Sequence, residues 1–188
     1  MRAEAVVYQE QAPVAARLSL DWFGQPARYQ AEYTLSLLGT RLRFGFRAQK
    51  PPQCDLELRA GDFVEGLWES DVAELFLMGP SGRYQELNLS PSGAWWCATF
   101  SGYRQRDSVL RCPSVKTSAQ WDSGSWEAEL SLDLADLPVL ADSDLSRARL
   151  HVASILDPER PEYLCLGHVG GGQPDFHRAE NFLSVVLR

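Results

Sequence analysis

Residues 67–96, LWESDVAELFLMGPSGRYQELNLSPSGAWW, predict two paired β-strands around which the rest of the chain is arranged. Side chains in residues 71–78 and 83–90 alternate with the period of two that an extended chain requires. The residues GPSG at 79–82 supply the turn between the two segments. One face of the pair carries leucines and belongs to a core, and the opposite face is predicted to be polar.

The polar face of this strand pair is the first candidate for a binding surface. If the leucines of both strands face the core, the side chains of Glu74, Glu86 and Asn88 lie together on the opposite face. An indole ring stacks on an apolar ligand face, and carboxyl and amide groups hydrogen-bond to hydroxyls. We therefore add Trp68 and Trp95 to the predicted surface. Trp95 and Trp96 are adjacent and point to opposite faces, so the alternative is that they divide between core and surface.

The rest of the chain repeats the strand pattern and lacks a helical one. Residues 29–48 form a hairpin with good alternation, and residues 125–134 show the cleanest alternation in the sequence. Further strands are predicted at 147–156, 162–167 and 182–188, and no segment sustains an apolar period of 3.6. These features predict an all-β fold, an antiparallel β-sandwich of jelly-roll or immunoglobulin-like type with roughly ten or more strands. We expect residues 1–188 to form a single domain.

Composition limits the partners and the compartment. The formal net charge of -7 disfavours nucleic acid, because such a surface repels phosphate backbones. Glu4 and Glu10 interrupt any apolar run at the N-terminus, so we predict no membrane partner and a cytoplasmic location. The four cysteines are scattered without a C-x-x-C pair, which fits reduced thiols; a disulfide framework is the alternative for an exported chain. The sequence gives no indication of the oligomeric state.

Three motifs carry a resemblance to a known family. They are WESDVAELFL at 68–77, RYQELNLSPSGAWW at 83–96 and PDFHRAENF at 174–182. Together they resemble the DOMON-like domains related to carbohydrate-binding module family 9, over nearly the whole chain. The resemblance implies a jelly-roll-like sandwich that binds sugars or, in some DOMON relatives, haem. It implies a non-catalytic module for a carbohydrate or another small polar ligand.

The resemblance also implies roles for particular residues. In sugar-binding members two tryptophans clamp a pyranose, and a glutamate on the central strand bonds its hydroxyls; Trp68 and Glu74 match this pattern. The chain has no tryptophan after Trp126, and Phe176 and His177 stand where the second clamp is expected.

The loop at residues 173–181 is predicted to close one end of the groove. It follows the three glycines at 170–172, which leave the segment free to move. His177 and Arg178 are then available to a ligand, and the Arg178 guanidinium would hold Glu74, Glu86 or an acidic ligand. The alternative is a plain strand connection in which Phe176 fills the end of the fold.

Enzyme and cofactor functions have weaker support in the sequence. Asp71, Glu74 and Glu86 could supply the carboxylate pair of a glycoside-acting enzyme, but no nucleophile motif accompanies them, so we predict no catalytic residue. A haem would need axial ligands such as Met78 and His177. Calcium is a structural ion in similar modules, yet the aspartates show no loop with regular ligand spacing. We therefore predict no cofactor and no metal ligands, with calcium or haem as the alternatives.

Overall fold

The computed structural model describes residues 4–140, 143–167 and 171–188, and shows an all-β chain with a few turns of 3-10 helix. Gly170, one of the three glycines before the C-terminal loop, lies outside the described residues. The 3-10 helices are Leu67–Glu69, Leu134–Asp136, Leu145–Arg147 and Ala179–Asn181. The strands are β1 (Ala5–Gln9), β2 (Ala16–Leu20), β3 (Pro26–Leu38), β4 (Arg41–Ala48), β5 (Val72–Met78), β6 (Tyr84–Leu89), β7 (Trp95–Gly102), β8 (Gln105–Val109), β9 (Lys116–Trp121), β10 (Trp126–Asp133), β11 (Arg149–Leu156), β12 (Glu162–Cys165) and β13 (Leu183–Leu187).

The strands are joined in one hydrogen-bonded path. Its order is β8-β7-β6-β5-β11-β13-β1-β3-β4-β10-β9, with β12 paired to β11 and β2 paired to β3. The prediction of an antiparallel arrangement holds for most pairs, but β1 runs parallel to both of its neighbours, β13 and β3. This parallel strand joins the half of the path that contains β5 to the half that contains β4.

The central hairpin has the predicted register. β5 and β6 pair antiparallel, with Glu74 opposite Asn88 and Phe76 opposite Glu86. The turn between them requires glycine at position 79, since a Cβ there would lie 1.6 Å from the carbonyl oxygen of Val139. Glu74, Glu86 and Asn88 therefore share one face of the sheet, as the alternation predicted.

The face that carries these polar residues is buried beneath other segments of the chain. Every residue of β5 and β6 is buried. One hydrophobic cluster contains the leucines of β5 and β6 together with the inward residues of β3, β4 and β10. A second cluster covers the opposite face, because Trp22, Phe176 and Phe182 from distant segments pack onto Phe76 and its neighbours. The candidate site lies within this second layer.

Two expectations about chain chemistry can be compared with the structure directly. All four cysteines are free thiols, as predicted. Among the described residues, none of the helical turns has the length and apolarity that a membrane-crossing helix needs.

His151 on β11 is a buried residue of the layer that covers the opposite face, outside the candidate site. The ring is fully buried and stacks on Phe182, with ring centroids 5.7 Å apart. Neither ring nitrogen has a hydrogen-bond partner among the described residues. Burial lowers the pKa of His151 from 6.5 to about 4, because the interior disfavours the charged ring.

Replacing His151 with leucine is expected to stabilise the protein by about 1 kcal/mol at neutral pH, since two buried polar atoms without partners are removed. The gain should grow as the pH falls from 6.5 towards 4. In that range the unfolded histidine binds a proton that the folded ring does not, so only the wild-type protein loses stability. Urea denaturation at several pH values measures this difference. A variant that is less stable than the wild type at every pH would show that the ring has a partner that we have not identified.

Candidate functional site

A cleft of about 360 Å³ opens in the layer that covers β5, β6 and β7, and we call it the Trp68 cleft. Its size is within the usual range of small-molecule sites, about 300–1,000 Å³. The lining is formed by Trp68, Glu74, Glu86, Trp96, Phe100, Arg104, Arg106, Ile155, Tyr163 and residues 174–177. Four of the residues predicted for the site, Trp68, Glu74, Glu86 and His177, therefore meet in one place.

Trp68 supplies an apolar wall whose ring is partly open to solvent. It lies in the short 3-10 helix Leu67–Glu69 that leads into β5, and 37% of its surface is exposed. Its ring meets that of the buried Trp96 edge-on, with centroids 5.2 Å apart. Trp96 thus supports Trp68 from below and leaves the Trp68 ring available for stacking.

Glu74 is a buried acid without a hydrogen-bond partner among the described residues. It lies in the middle of β5, 4% of its surface is exposed, and its carboxyl oxygens reach the Trp68 cleft. Burial raises the pKa of Glu74 well above its ordinary value, and repulsion from Glu86 raises it further. The environment of Glu74 therefore favours the uncharged carboxyl, and a positive charge placed beside it would favour the ionised form.

Glu86 is the second acid on the floor of the Trp68 cleft, and Asn88 holds it in place. The Asn88 side-chain amide donates to Glu86 Oε1 at 3.0 Å, so Glu86 Oε2 is left for other partners. Burial raises the pKa of Glu86 to about 7, while the hydrogen bond from Asn88 and the charge of Arg104 oppose this shift. Asn88 itself is fully buried and absent from the cleft lining, so it positions Glu86 and does not reach a ligand.

His177 is held in position by a hydrogen bond to Tyr84, and its burial keeps the ring neutral. The Tyr84 hydroxyl lies 2.8 Å from His177 Nδ1 and accepts from the Arg104 backbone N–H at 3.2 Å. If the hydroxyl proton goes to Nδ1, the ring proton is on Nε2, which faces Glu86 Oε2 at 3.7 Å. Burial and the charge of Arg104 lower the pKa of His177 to about 4. The contact with Glu86 is therefore not an ion pair at neutral pH.

Two arginines stand at the rim, and each has an acidic partner. Arg104 Nη2 donates to Asp175 Oδ1 at 2.9 Å, and the hydroxyl of Tyr103 also donates to Asp175. Arg106 pairs with Glu65, and its guanidinium carbon lies 5.9 Å from the centroid of the Trp96 ring. Through these contacts Arg104, in the turn between β7 and β8, is joined to the C-terminal loop. Arg106, on β8, is joined to the segment before Trp68.

Three other predicted or considered residues lie outside the Trp68 cleft. Trp95 points to the opposite face of β7, where it packs edge-on against Phe63 at 4.8 Å in the larger core cluster. Arg178 turns away and lies 5.3 Å from the centroid of the Trp22 ring, so it holds neither Glu74 nor Glu86. Asp71 is fully buried in an ion pair with Lys50, so it is a structural residue.

The two arginines and the wall formed by Ile155 and Tyr163 were not predicted from the sequence. Arg106 pairs with Phe100 across β7 and β8, so an assignment of Phe100 to the site face would have placed Arg106 there. Tyr163 and Ile155 come from β12 and β11, which are distant in sequence and carry no local signal of a site.

The haem and metal alternatives do not fit the residues present. Met78 and His177 would have to ligate the iron, but Met78 is buried and His177 Nδ1 is already bound to Tyr84. Among residues 4–140, 143–167 and 171–188 there is no group of three or more acidic, histidine or cysteine side chains placed to hold a metal ion.

Solved structures share this fold, whereas no protein-family model and no curated protein matches the sequence. A proposed carbohydrate-binding protein from Bacteroides uniformis has a TM-score of 0.78 at 12% identity, over 99% of each chain. A family 9 carbohydrate-binding module from Caldicellulosiruptor kristjanssonii, in complex with cellotriose, has a TM-score of 0.60 at 9% identity, over 98% of this chain and 94% of that chain. Its glucose complex has the same TM-score at 10% identity, over 98% and 96%. The chain therefore has the fold of family 9 modules, as the motifs predicted.

Proposed function

We propose that the chain is a non-catalytic module that binds a carbohydrate in the Trp68 cleft. The observation that carries the proposal is a partly exposed tryptophan, Trp68, beside two buried acids, Glu74 and Glu86, in one cleft. Support comes from the shared fold, since family 9 modules of this fold have been solved with glucose and with cellotriose. In this proposal residues 1–188 form one domain, and the two halves of the strand path form the layers of a jelly-roll-like β-sandwich.

The chemistry of the Trp68 cleft suits a sugar ring. The Trp68 face would stack on the C–H face of a pyranose, and the acids below it would exchange hydrogen bonds with the hydroxyls. The Glu74 carboxyl has no hydrogen-bond partner among the described residues and is free to bond a hydroxyl, and His177 Nε2 faces the same floor beside Glu86. Because these groups are buried and held by Asn88 and Tyr84, little ordering is needed when a ligand binds.

We propose no turnover of the bound sugar. Glu74 and Glu86 project from adjacent strands of one sheet face, whereas a glycosidase places its two carboxyls on opposite sides of the scissile bond. An assay with aryl glycosides tests this part of the proposal. Hydrolysis that disappears in Glu74→Gln would assign an enzyme instead.

Replacing Trp68 with alanine is expected to weaken carbohydrate binding by about ten- to hundredfold, because the stacking surface of the cleft is lost. Isothermal titration calorimetry with glucose and cellotriose measures the effect. Trp68→Phe should keep part of the affinity, because it retains a smaller aromatic face.

Trp121 provides the matched control for this substitution. It is a tryptophan with 50% of its surface exposed, on the edge strand β9 and away from the Trp68 cleft. Trp121→Ala should leave the affinity unchanged. Equal losses in the two variants, or no loss in Trp68→Ala, would place the ligand elsewhere.

A further inference from the structure

The acids on the floor of the Trp68 cleft have no cationic partner of their own. Glu74 makes no hydrogen bond within the described residues, and the contacts of Glu86 are the neutral Asn88 amide and the neutral His177 ring. Buried carboxyls are normally paired or hydrogen-bonded, because water no longer solvates their charge. The floor therefore carries two carboxyl groups whose missing cationic partner a ligand can supply.

The two arginines at the rim lower the pKa of Glu86 through their charge, but neither forms an ion pair with a glutamate of the floor. Arg104 is engaged by Asp175 and Arg106 by Glu65, so each guanidinium already has an acid beside it. At Glu74 the repulsion from Glu86 outweighs the attraction of Arg104. An additional positive charge between the two glutamates would thus be stabilised, and an additional negative charge would not.

The walls of the Trp68 cleft also suit a cation. Trp68, Tyr163 and Phe176 line it, and aromatic faces attract ammonium groups through their electron-rich centres. An ammonium group offers three N–H donors and can serve both glutamates, whereas a hydroxyl offers only one donor.

We propose that the Trp68 cleft selects sugars that carry a protonated amino group, held between Glu74 and Glu86. This inference rests on the proposed carbohydrate-binding function and names the class of sugar. It requires that the amine bring a positive charge as well as hydrogen bonds.

The test compares four sugars of similar size by isothermal titration calorimetry at neutral pH. They are glucose, glucosamine, 6-amino-6-deoxyglucose and glucuronic acid, which differ in charge and in the position of the amino group. At least one amino sugar should bind about tenfold or more tightly than glucose, as expected for a charge-assisted hydrogen bond in a buried site. In Glu74→Gln this ratio of affinities should fall to about one or two, because glutamine keeps the shape but cannot ionise beside the ammonium group.

Glu129→Gln is the matched control for the charge change. Glu129 is exposed on β10, outside the Trp68 cleft, and its removal should leave the ratio unchanged. If glucose binds and neither amino sugar binds more tightly, or if glucuronic acid binds best, the inference fails and the proposed function stands. If neither the four sugars nor cellotriose binds while the protein is folded, both fail.

Discussion

Replacing Asp71 with alanine is expected to lower the free energy of unfolding by about 3–5 kcal/mol, the usual result of breaking a buried ion pair from one side. Asp71 is fully buried and pairs with Lys50, whose side chain is 4% exposed. Its carboxylate also accepts from two backbone N–H groups, those of Gln53 at 2.8 Å and Asp157 at 2.7 Å. The substitution would leave the buried Lys50 ammonium group with only the carbonyl oxygen of Pro51 as a partner, and would leave two part-buried backbone N–H groups without one. Urea denaturation of the variant measures the loss.

Two comparisons separate the causes of this loss. Asp107→Ala removes an exposed ion pair with Arg83 and should cost less than about 1 kcal/mol. Lys50→Met combined with Asp71→Ala removes the unpaired charge and should recover part of the stability. A double variant as unstable as Asp71→Ala alone would assign the whole loss to the backbone hydrogen bonds.

The local pattern was sufficient to predict the strands and the face of the central hairpin. Strict alternation fixes which side chains of β5 and β6 share a face, and the short turn at 79–82 fixes the pairing. The positions of Glu74 and Glu86 therefore followed from the sequence. Trp68 followed from its closeness in sequence to β5, from the stacking chemistry of indole and from the family resemblance, since nothing in the periodicity of a 3-10 turn marks it.

The residues that complete the Trp68 cleft could not be predicted in this way, because long-range packing places them. Alternation predicts that Trp95 and Trp96 point to opposite faces. Only the pairing of Trp96 with Asn88 shows that Trp96 is the one on the same face as the acids. The burial of the face with Glu74, Glu86 and Asn88 could not be predicted, because Trp22 and Phe176 cover it and both lie far from β5 in the sequence. Arg104 could not be predicted for the site, because it lies in a turn whose exposed residues show no alternation of polar and apolar side chains.

Replacing Glu86 with glutamine is expected to stabilise the protein in a pH-dependent way. The pKa of Glu86 is raised from an ordinary value of 4.5 to about 7 in the folded protein. Between these values the folded state holds a proton that the unfolded state has released, so the wild type loses stability as the pH rises through this interval. Above pH 7 the acid is ionised in both the folded and the unfolded state. The difference between the two pKa values then corresponds to a loss of roughly 3 kcal/mol in the free energy of unfolding. Glutamine has no charge to bury and keeps an oxygen for the Asn88 amide.

The difference in unfolding free energy between Glu86→Gln and the wild type should therefore be near zero at pH 4.5 and roughly 3 kcal/mol at pH 8. Urea is the suitable denaturant, because guanidinium chloride would screen the charges that are being tested. Glu129→Gln, on the exposed face of β10, should show no such slope. A difference that does not change with pH would mean that Glu86 is ionised in the folded protein at all these values. Glu86 thus lowers the stability of the protein, although glutamine would pack equally well in its place. Such a destabilising acid is expected where its charge serves a ligand.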